Sequence, residues 1–404
     1  MGTRHRGRAR LIAAVLTAIA LVAVVFVAPA GARGRGHVHE RPGAHRHGFR
    51  DFRDRHGKPL TVMTRNLYLG ADLTRAVAVT DLPPDQQAAA FVAANTTIRA
   101  IVEQTDFPLR ARRIAAEIAA RRPDLVGLQE TALWRHGPLD GSPATVVDYD
   151  FLTLLLNALA ARGQRYEVAD VQQESDVAGP AFLDGTLQNV RLTMRDVVLK
   201  RAHDGVRVLA ASGANYAARI PLTIAGQSLA FIRGYDALEL RAGGQRLRFV
   251  DTHLESASSD VAYAQAQELL AGPAAPSGES EIVVCDCNSD PLSTAVDPGG
   301  TVPNQAAYLA IVRAGFADEW LRFAPGSAGL TDGLSELVND TPQQAAAELD
   351  HRIDFVFGRR ADGSPMPVVH AWVVGKDPAE RTPPTPIGRL WPSDHAGVVV
   401  RLRP

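Results

Sequence analysis

The stretch Glu281-Ile-Val-Val-Cys-Asp-Cys-Asn288 sets the pattern for the whole chain. Its apolar run is typical of a buried strand, and it ends in Asp286 and Asn288. These two residues are two positions apart, so on a strand their side chains point to the same face. Four more apolar segments end in or precede polar residues, namely Asn66, Glu130, His253, and Asp394 with His395. Polar groups at strand ends converge on one rim of a sheet, which predicts a functional site there.

The chain between these strand ends alternates short apolar runs with helical patterns, which predicts a single α/β or α+β domain. Strands are predicted at Leu60–Met63, Leu125–Leu128, Asp196–Leu199, Leu247–Val250, Glu281–Val284, Ile353–Phe357 and Gly397–Val400. Helices are predicted at Ala111–Arg121, Val261–Leu270 and Gln305–Ala314. The segment Gly70–Asp106 has no strand character, and we expect Gln86–Glu103 to be a helical insertion near the mouth of the site.

The predicted cluster of Glu130, Asp286, Asn288 and Asp394 is rich in oxygen and lacks thiolates. Such a donor set suits a hard cation, Mg²⁺ first and Mn²⁺ or Ca²⁺ as alternatives, rather than a structural zinc. Two histidines beside a cation of this kind can serve as general base and general acid in phosphoester hydrolysis.

The motifs N-L, L-Q-E, D-T-H-L, D-C-N-S-D, R-I-D-F-V-F and S-D-H occur in this order between Leu60 and Leu402. Each motif is short, but together they resemble the endonuclease/exonuclease/phosphatase superfamily. That superfamily includes deoxyribonuclease I and the neutral sphingomyelinases. The resemblance implies a four-layered α/β sandwich, in which two packed mixed β-sheets are flanked by helices. It also implies a hydrolase that acts on phosphoester bonds with a divalent cation.

The resemblance assigns roles position by position. Catalytic roles fall on His253, Asp286, Asn288, Asp354, His395 and Asp196; metal ligation falls on Glu130, Asn66 and Asp394; substrate contacts fall on Asn288, Asn66, Trp134 and Arg135. Asp354 would orient His395, which takes a proton from the attacking water, although Asp286 is an alternative base. Asp196 would orient His253, which would stabilise the phosphorus centre or protonate the leaving oxygen.

The substrate is predicted less narrowly than the chemistry. The W-x-D-R signature of inositol phosphatases is missing, because this chain has Leu349-Asp-His-Arg-Ile-Asp354. The D-T-H motif favours the nuclease and sphingomyelinase branches. We therefore expect a secreted nuclease-like phosphodiesterase acting on nucleic acid. The alternatives are an extracellular sphingomyelinase-like phospholipid phosphodiesterase and a non-catalytic binding module on the same fold. No obligate protein partner is evident, and a monomer is expected.

The amino-terminal region differs from the rest in composition. Residues 1–32 have a basic start, an apolar run and small residues, which predicts a secretory signal peptide; an uncleaved membrane anchor is the alternative. Residues 33–57 are rich in Arg, His and Gly, which predicts a disordered linker; a weak metal- or anion-binding tail is the alternative. The formal net charge of −1 hides a net charge of −9 over residues 58–404.

The chain has two cysteines, Cys285 and Cys287. Their close spacing leads us to expect two buried, inert thiols rather than a disulfide. A four-cysteine zinc site is excluded by the count.

Overall fold

The computed structural model describes residues 58–404 apart from 204 and 225–226, and it does not describe the side chains of 227–229. The predicted signal peptide and linker lie outside the described residues. Among the helices that are described, none combines the length and apolarity needed to cross a bilayer.

The strands of the described chain form two large mixed sheets and one small hairpin. In chain order they are β1 (Leu60–Asn66), β2 (Leu125–Gln129), β3 (Leu133–Gly137), β4 (Val146–Asp150), β5 (Tyr166–Leu183), β6 (Thr186–Arg201), β7 (Val206–Asn215), β8 (Ile220–Ile224), β9 (Gln227–Phe231), β10 (Gly234–Ala242), β11 (Gln245–His253), β12 (Ser280–Asp286), β13 (Ala317–Asp318), β14 (Asp354–Arg359), β15 (Val368–Val374) and β16 (Gly397–Leu402). The first sheet has the order β15-β16-β1-β2-β6-β3-β4, with β5 paired to β6. The second has the order β13-β14-β12-β11-β10-β7, and β8 pairs with β9 alone.

The helices cover the outer faces of the two sheets. In chain order they are α1 (Thr74–Val77), α2 (Pro84–Gln104), α3 (Phe107–Arg121), α4 (Phe151–Ala160), α5 (Ser259–Ala271), α6 (Ala306–Arg313), α7 (Glu319–Phe323) and α8 (Pro342–Glu348). Residues of α2, α3 and α4 pack with the first sheet, whereas residues of α5 and α6 pack with the second.

The layers follow from the two-residue period of a strand, which sends neighbouring side chains to opposite faces. Val62 of β1 packs in the core between the sheets with Phe249 and Val284. The next residue, Met63, packs on the opposite face with Ile114 of α3. The four-layered α/β sandwich predicted from the motif resemblance is therefore confirmed.

Most predicted elements lie within longer observed ones. The exceptions are Ile353–Phe357, whose strand begins one residue later at Asp354, and Gln305–Ala314, whose helix is the shorter Ala306–Arg313. The helix predicted at Ala111–Arg121 begins earlier, at Phe107, because the side chain of Asp106 accepts a hydrogen bond from the Leu109 amide and caps it. The helical insertion predicted at Gln86–Glu103 is confirmed as α2.

Three strands of the second sheet place their terminal residues in one row. His253 of β11 is the register partner of Asp286 in β12, and Asp286 is the register partner of Asp354 in β14. Adjacent strands in a sheet are only about 4.8 Å apart, so strand pairing alone brings these three residues close together without a loop to position them. This row is the frame of the candidate site.

Candidate active site

The end of β1 joins the row from the other sheet. Asn66 is fully buried, and its Nδ2 donates to Asp286 Oδ2 at 2.8 Å. Its Oδ1 accepts from the Tyr68 amide at 2.7 Å. The amide of Asn66 therefore links the rims of the two sheets and fixes the orientation of Asp286.

His395 lies beside the row and pairs with Asp354. Its Nδ1 is 3.0 Å from Asp354 Oδ2, so the predicted His–Asp pair is present. Its Nε2 lies 3.9 Å from Asp286 Oδ2 and 3.7 Å from Asp332 Oδ1. Burial disfavours the charged imidazole, but Asp354, Asp286 and Asp394 outweigh burial and raise the pKa of His395 well above its usual value.

His253 has the opposite surroundings. Its Nδ1 is 2.9 Å from Nη1 of Arg233, which can only donate, so Nδ1 accepts and the proton of the neutral ring lies on Nε2. That Nε2 is 3.4 Å from Asp286 Oδ2. Burial lowers the pKa of His253 well below its usual value, and the charge of Arg233 lowers it further.

The predicted pairing of Asp196 with His253 is wrong, because Asp196 makes no hydrogen bond to the ring of His253. Ligand atoms of Glu174, Asp196 and His253 lie within 4.8 Å of one another, but both carboxylate oxygens of Asp196 lack a hydrogen-bond partner. Arg233 occupies the ring nitrogen that an orienting acid would need. Burial raises the pKa of Asp196 well above its usual value, and Glu174 adds to the shift, which favours a protonated acid.

Asp286 stands between the two histidines as the shared acid. Its Oδ2 accepts from Asn66, and its Oδ1 accepts from the Asn288 amide at 3.2 Å. Burial raises the pKa of Asp286 to about 8, although His395 opposes the shift. An acid of this kind can exchange a proton near neutral pH.

Glu130 and Asp394 are the remaining carboxylates of the site. Glu130 has a left-handed backbone, with a φ of 54°, and its Oε2 accepts from the Leu69 amide at 2.7 Å. Burial raises the pKa of Asp394 to about 7, and Glu130 and Asp332 add to the shift while His395 opposes it. Glu130 and Asp332 so close to Asp394 leave a local excess of negative charge. This oxygen-rich set therefore fits a divalent cation.

The three residues predicted to contact substrate beside Asn66 have other contacts in this structure. Asn288 is partly exposed, and its Nδ2 donates to the Leu254 carbonyl at 2.9 Å. Trp134 is buried, and its indole donates to the Leu69 carbonyl at 2.9 Å. Arg135 lies on β3 and contacts Thr193 and Asp176. Of these three side chains, only that of Asn288 makes a contact at the strand ends that form the site.

Two arginines hold the loop of His395 in place, and the sequence analysis missed both. Arg65 bonds to the His395 carbonyl and forms a buried ion pair with Glu117, whose oxygen is 3.0 Å from Nε. Arg110 donates to the carbonyls of Leu67 and Pro392 at 2.8 and 3.1 Å. Arg110 lies four residues before Ile114, on the buried face of α3. This spacing could have predicted its role, because a buried arginine needs hydrogen-bond acceptors.

Cys285 and Cys287 form a disulfide, which corrects the expectation of two free thiols. An extended strand would separate their Cα atoms by about 6.6 Å, but the observed distance is 5.2 Å. The strand ends at Asp286, and Asn288 has a φ of 45°, so the backbone leaves the extended path here. Both cysteines pack in the apolar cluster of α5 and α6, on the opposite side from Asp286.

Similar folds are found among solved structures, whereas the sequence matches no protein-family model and no curated protein. An endonuclease/exonuclease/phosphatase family protein from Leptotrichia buccalis is 14% identical, with a TM-score of 0.50 over 85% of this chain and 99% of that chain. An endonuclease/exonuclease/phosphatase from Beutenbergia cavernae is 22% identical, with a TM-score of 0.49 over 85% and 71%. The mannosyl-6-phosphatase Bt3783 from Bacteroides thetaiotaomicron is 16% identical, with a TM-score of 0.48 over 85% and 99%. The first of these similarities shows the deoxyribonuclease I-like fold.

Proposed function

We propose that this chain is a divalent-metal-dependent hydrolase of phosphoester bonds, a phosphodiesterase of the endonuclease/exonuclease/phosphatase superfamily. One observation carries the proposal. Asp286 lies between two histidines whose neighbours favour opposite charge states, His395 beside Asp354 and His253 beside Arg233. A proton acceptor and a neutral hydrogen-bond donor on one rim are what hydrolysis of an anionic ester requires.

At pH values above its raised pKa, where the imidazole is neutral, His395 accepts the proton of the attacking water at Nε2. Its Nδ1–H donates to Asp354, which fixes the tautomer and stabilises the imidazolium that forms. Asp286, 3.9 Å from the same Nε2, orients the water and is the alternative acceptor.

His253 donates from Nε2 to a phosphoryl oxygen. Because burial and the charge of Arg233 hold the pKa of His253 low, His253 supplies a hydrogen bond rather than the proton that the leaving group takes. This assignment narrows the role predicted from sequence. The amide of Asn66 fixes the orientation of Asp286 between the two histidines.

Glu130 and Asp394 would hold the cation, with Asn66 next to them at the end of β1. A bound divalent ion would neutralise charge on the phosphoryl oxygens. Magnesium is the first choice for such hard carboxylate ligands, and Mn²⁺ or Ca²⁺ are the alternatives.

The experiment assays the purified, exported protein on bis-p-nitrophenyl phosphate, plasmid DNA, RNA and sphingomyelin. Each substrate is tested with Mg²⁺, Mn²⁺ or Ca²⁺, and with EDTA. Metal-dependent turnover that EDTA abolishes supports the proposal. Binding of a phosphodiester without turnover under any metal would instead identify a non-catalytic module.

The substrate class has two candidates, nucleic acid and phospholipid. The D-T-H motif of His253 is compatible with both. A net charge of −9 over residues 58–404 weakens the nucleic acid candidate, because non-specific affinity for a polyanion comes from basic surface. An apolar cavity lined by Trp134 and by residues of the helical insertion favours the lipid.

The protein is exported in this proposal, with residues 1–32 as its signal. The disulfide Cys285–Cys287 supports the assignment, since disulfides persist mainly in oxidising compartments. Amino-terminal sequencing of the protein recovered from culture medium tests it. Recovery of uncleaved protein from the cytoplasm, with two free thiols, would contradict it.

A further inference from the structure

An apolar cavity of about 80 Å³ lies between the helical insertion and the first sheet. Its walls come from α1 and α2, from β3, β5 and β6, and from the hairpin of β8 and β9. Most lining side chains are aliphatic, among them Leu73, Ile98, Val177, Val190, Leu192 and Ile224. Apolar cavities of this kind stay dry and take apolar guests.

Arg99 of α2 lines this cavity and is only 3% exposed. Its Nη2 is 3.3 Å from Asp148 and 3.6 Å from Glu103, and its guanidinium stacks over Trp134 at 5.6 Å. Its Nε and Nη1 are buried and have no hydrogen-bond partner. Buried donors without acceptors are costly, so Arg99 is prepared for an acceptor that a ligand would bring.

The charge of Arg99 decides which acceptor fits. Asp148 and Glu103 already balance the guanidinium, so a third carboxylate would add repulsion for little gain. A neutral oxygen, such as an ester or amide carbonyl, satisfies the free donors without adding charge.

The lining of the cavity decides what the carbonyl is attached to. Among the described lining residues, only Asn95 and Arg99 have amide or charged side chains. Asn95 already donates to the Pro180 carbonyl at 3.3 Å. A nucleobase would leave several of its polar edge atoms unpaired here, whereas a hydrocarbon chain would leave none.

The cavity is linked to the candidate active site by two hydrogen bonds that meet at Leu69. The indole of Trp134 lines the cavity and donates to the Leu69 carbonyl at 2.9 Å. The amide of the same Leu69 donates to Glu130 at 2.7 Å. Two residues, Trp134 and Leu69, therefore connect a group seated in the cavity to the proposed metal ligand.

We infer that this cavity receives an acyl chain of a lipid phosphodiester substrate, with the ester or amide carbonyl of that chain bound by Arg99. The inference rests on the proposed function and names its substrate class. The acyl chain of the bound substrate occupies the cavity. The helical insertion between β1 and β2 provides the specificity for that chain.

The first test compares substrates that differ in the acyl chain. The full-length protein is assayed on dihexanoyl phosphatidylcholine, on bis-p-nitrophenyl phosphate and on thymidine 5′-(p-nitrophenyl) phosphate. Ala76→Phe places a ring in the cavity from α1, and it should lower kcat/KM for the acylated substrate at least tenfold relative to bis-p-nitrophenyl phosphate. Ala93→Phe, on the exposed face of α2, is the matched control and should not change that ratio.

The second test measures binding without catalysis, by the fluorescence of Trp134 in the cavity wall, taken as the difference between the protein and its Trp134→Phe variant because the chain has four tryptophans. Methyl octanoate should quench it in a saturable way, and sodium octanoate should bind at least tenfold more weakly. Arg99→Lys keeps the positive charge but removes the forked donors, so it should weaken methyl octanoate binding about tenfold.

The outcomes separate the inference from the proposed function. Turnover of bis-p-nitrophenyl phosphate with no saturable binding of methyl octanoate overturns the inference and leaves the proposed function standing. Binding of methyl octanoate with no turnover of any phosphodiester overturns the proposed function, and with it the cavity as a substrate site. A loss confined to the thymidine substrate in Ala76→Phe would identify a base pocket instead of an acyl pocket.

Discussion

The two histidines of the candidate site lie on either side of Asp286 and differ in every other neighbour. Four carboxylates surround His395, and three of them, Asp354, Asp286 and Asp394, raise its pKa well above the usual value although burial opposes them. His253 faces the guanidinium of Arg233, and burial with that charge lowers its pKa well below the usual value. His395 thus favours the charged imidazolium and His253 favours the neutral imidazole, although both lie beside Asp286.

The comparison shows that the chemistry of each histidine is set by residues that the motifs do not contain. D-T-H and S-D-H each present an imidazole at a strand end, but the partner determines whether that imidazole handles a proton or only donates a hydrogen bond.

Replacing the two histidines in turn should have unequal effects. His395→Ala should lower kcat by about 10⁴-fold, because the proton acceptor is lost, whereas His253→Ala should lower it by about 10²-fold. Steady-state kinetics on bis-p-nitrophenyl phosphate measure both, and His370→Ala on β15 is the control. Equal losses in the two variants would remove the proposed division of roles.

Removing the acid partner should affect His395 and leave the fold intact. Asp354→Asn should lower kcat by about 10³-fold, since the imidazolium loses its stabilising charge. The wild-type rate should rise with pH through the raised pKa of His395, so the rising limb should move to lower pH in the variant. Asp332→Asn, whose Oδ1 is 3.7 Å from Nε2, should move the limb less. A limb that does not move would show that His395 is not the titrating base.

The buried acids near His253 should make stability depend on pH. Burial raises the pKa of Glu174 from 4.5 to about 7, which corresponds to roughly 3 kcal/mol. A raised pKa in the folded state gives stability that is fully present below pH 4.5 and is lost as the pH rises through 7. Glu174→Gln does not titrate, so its advantage over wild type should grow by that amount between pH 4.5 and pH 8.

Urea unfolding at the two pH values measures this growth. Glu167→Gln, which replaces a carboxylate with a side chain 61% exposed, is the control and should show a constant difference. A constant difference in Glu174→Gln as well would mean that the acid is ionised and paired in the folded protein.

The disulfide beside Asp286 should have the smallest effect. A cross-link between Cys285 and Cys287 closes a very short loop, so the double variant Cys285→Ser/Cys287→Ser should lose only about 1–2 kcal/mol of unfolding free energy. Thermal unfolding with and without dithiothreitol measures the loss, and the reductant should not affect the double variant. A hundredfold fall in kcat at unchanged melting temperature would show instead that the disulfide positions Asp286.

The sequence predicted the strands that form the centre of each sheet, because continuous apolar runs such as Glu281–Val284 are buried on both faces. It did not predict the long hairpin of β5 and β6. Strand β5 contains Glu, Asp and Gln at many positions and is largely half-exposed, so no apolar run marks it. Strand β5 forms because it pairs with β6 along its length, and its composition alone does not indicate this.

The site residues also divide into those that the sequence predicts and those that it does not. Asn66, Asp286, Asp354 and His395 lie together because each ends a strand or precedes one, which a motif can reveal. Arg233 reaches His253 from the connection between β9 and β10, and Glu174 reaches it from β5. Neither segment carries a motif, and their contacts form only when the two sheets pack. Contacts between residues far apart in sequence are set by packing, which local patterns do not encode.

The row of His253, Asp286 and Asp354 makes the spacing of three strands part of the active site. Side chains alternate between faces, so a slip of one residue in β12 would bring Cys285 to the rim and turn Asp286 toward α5. Point substitutions nearby can be absorbed one at a time, whereas a single inserted or deleted residue in β11, β12 or β14 would separate the acid from both histidines at once. Over evolutionary time, the lengths of these strands should therefore be held more tightly than their apolar composition.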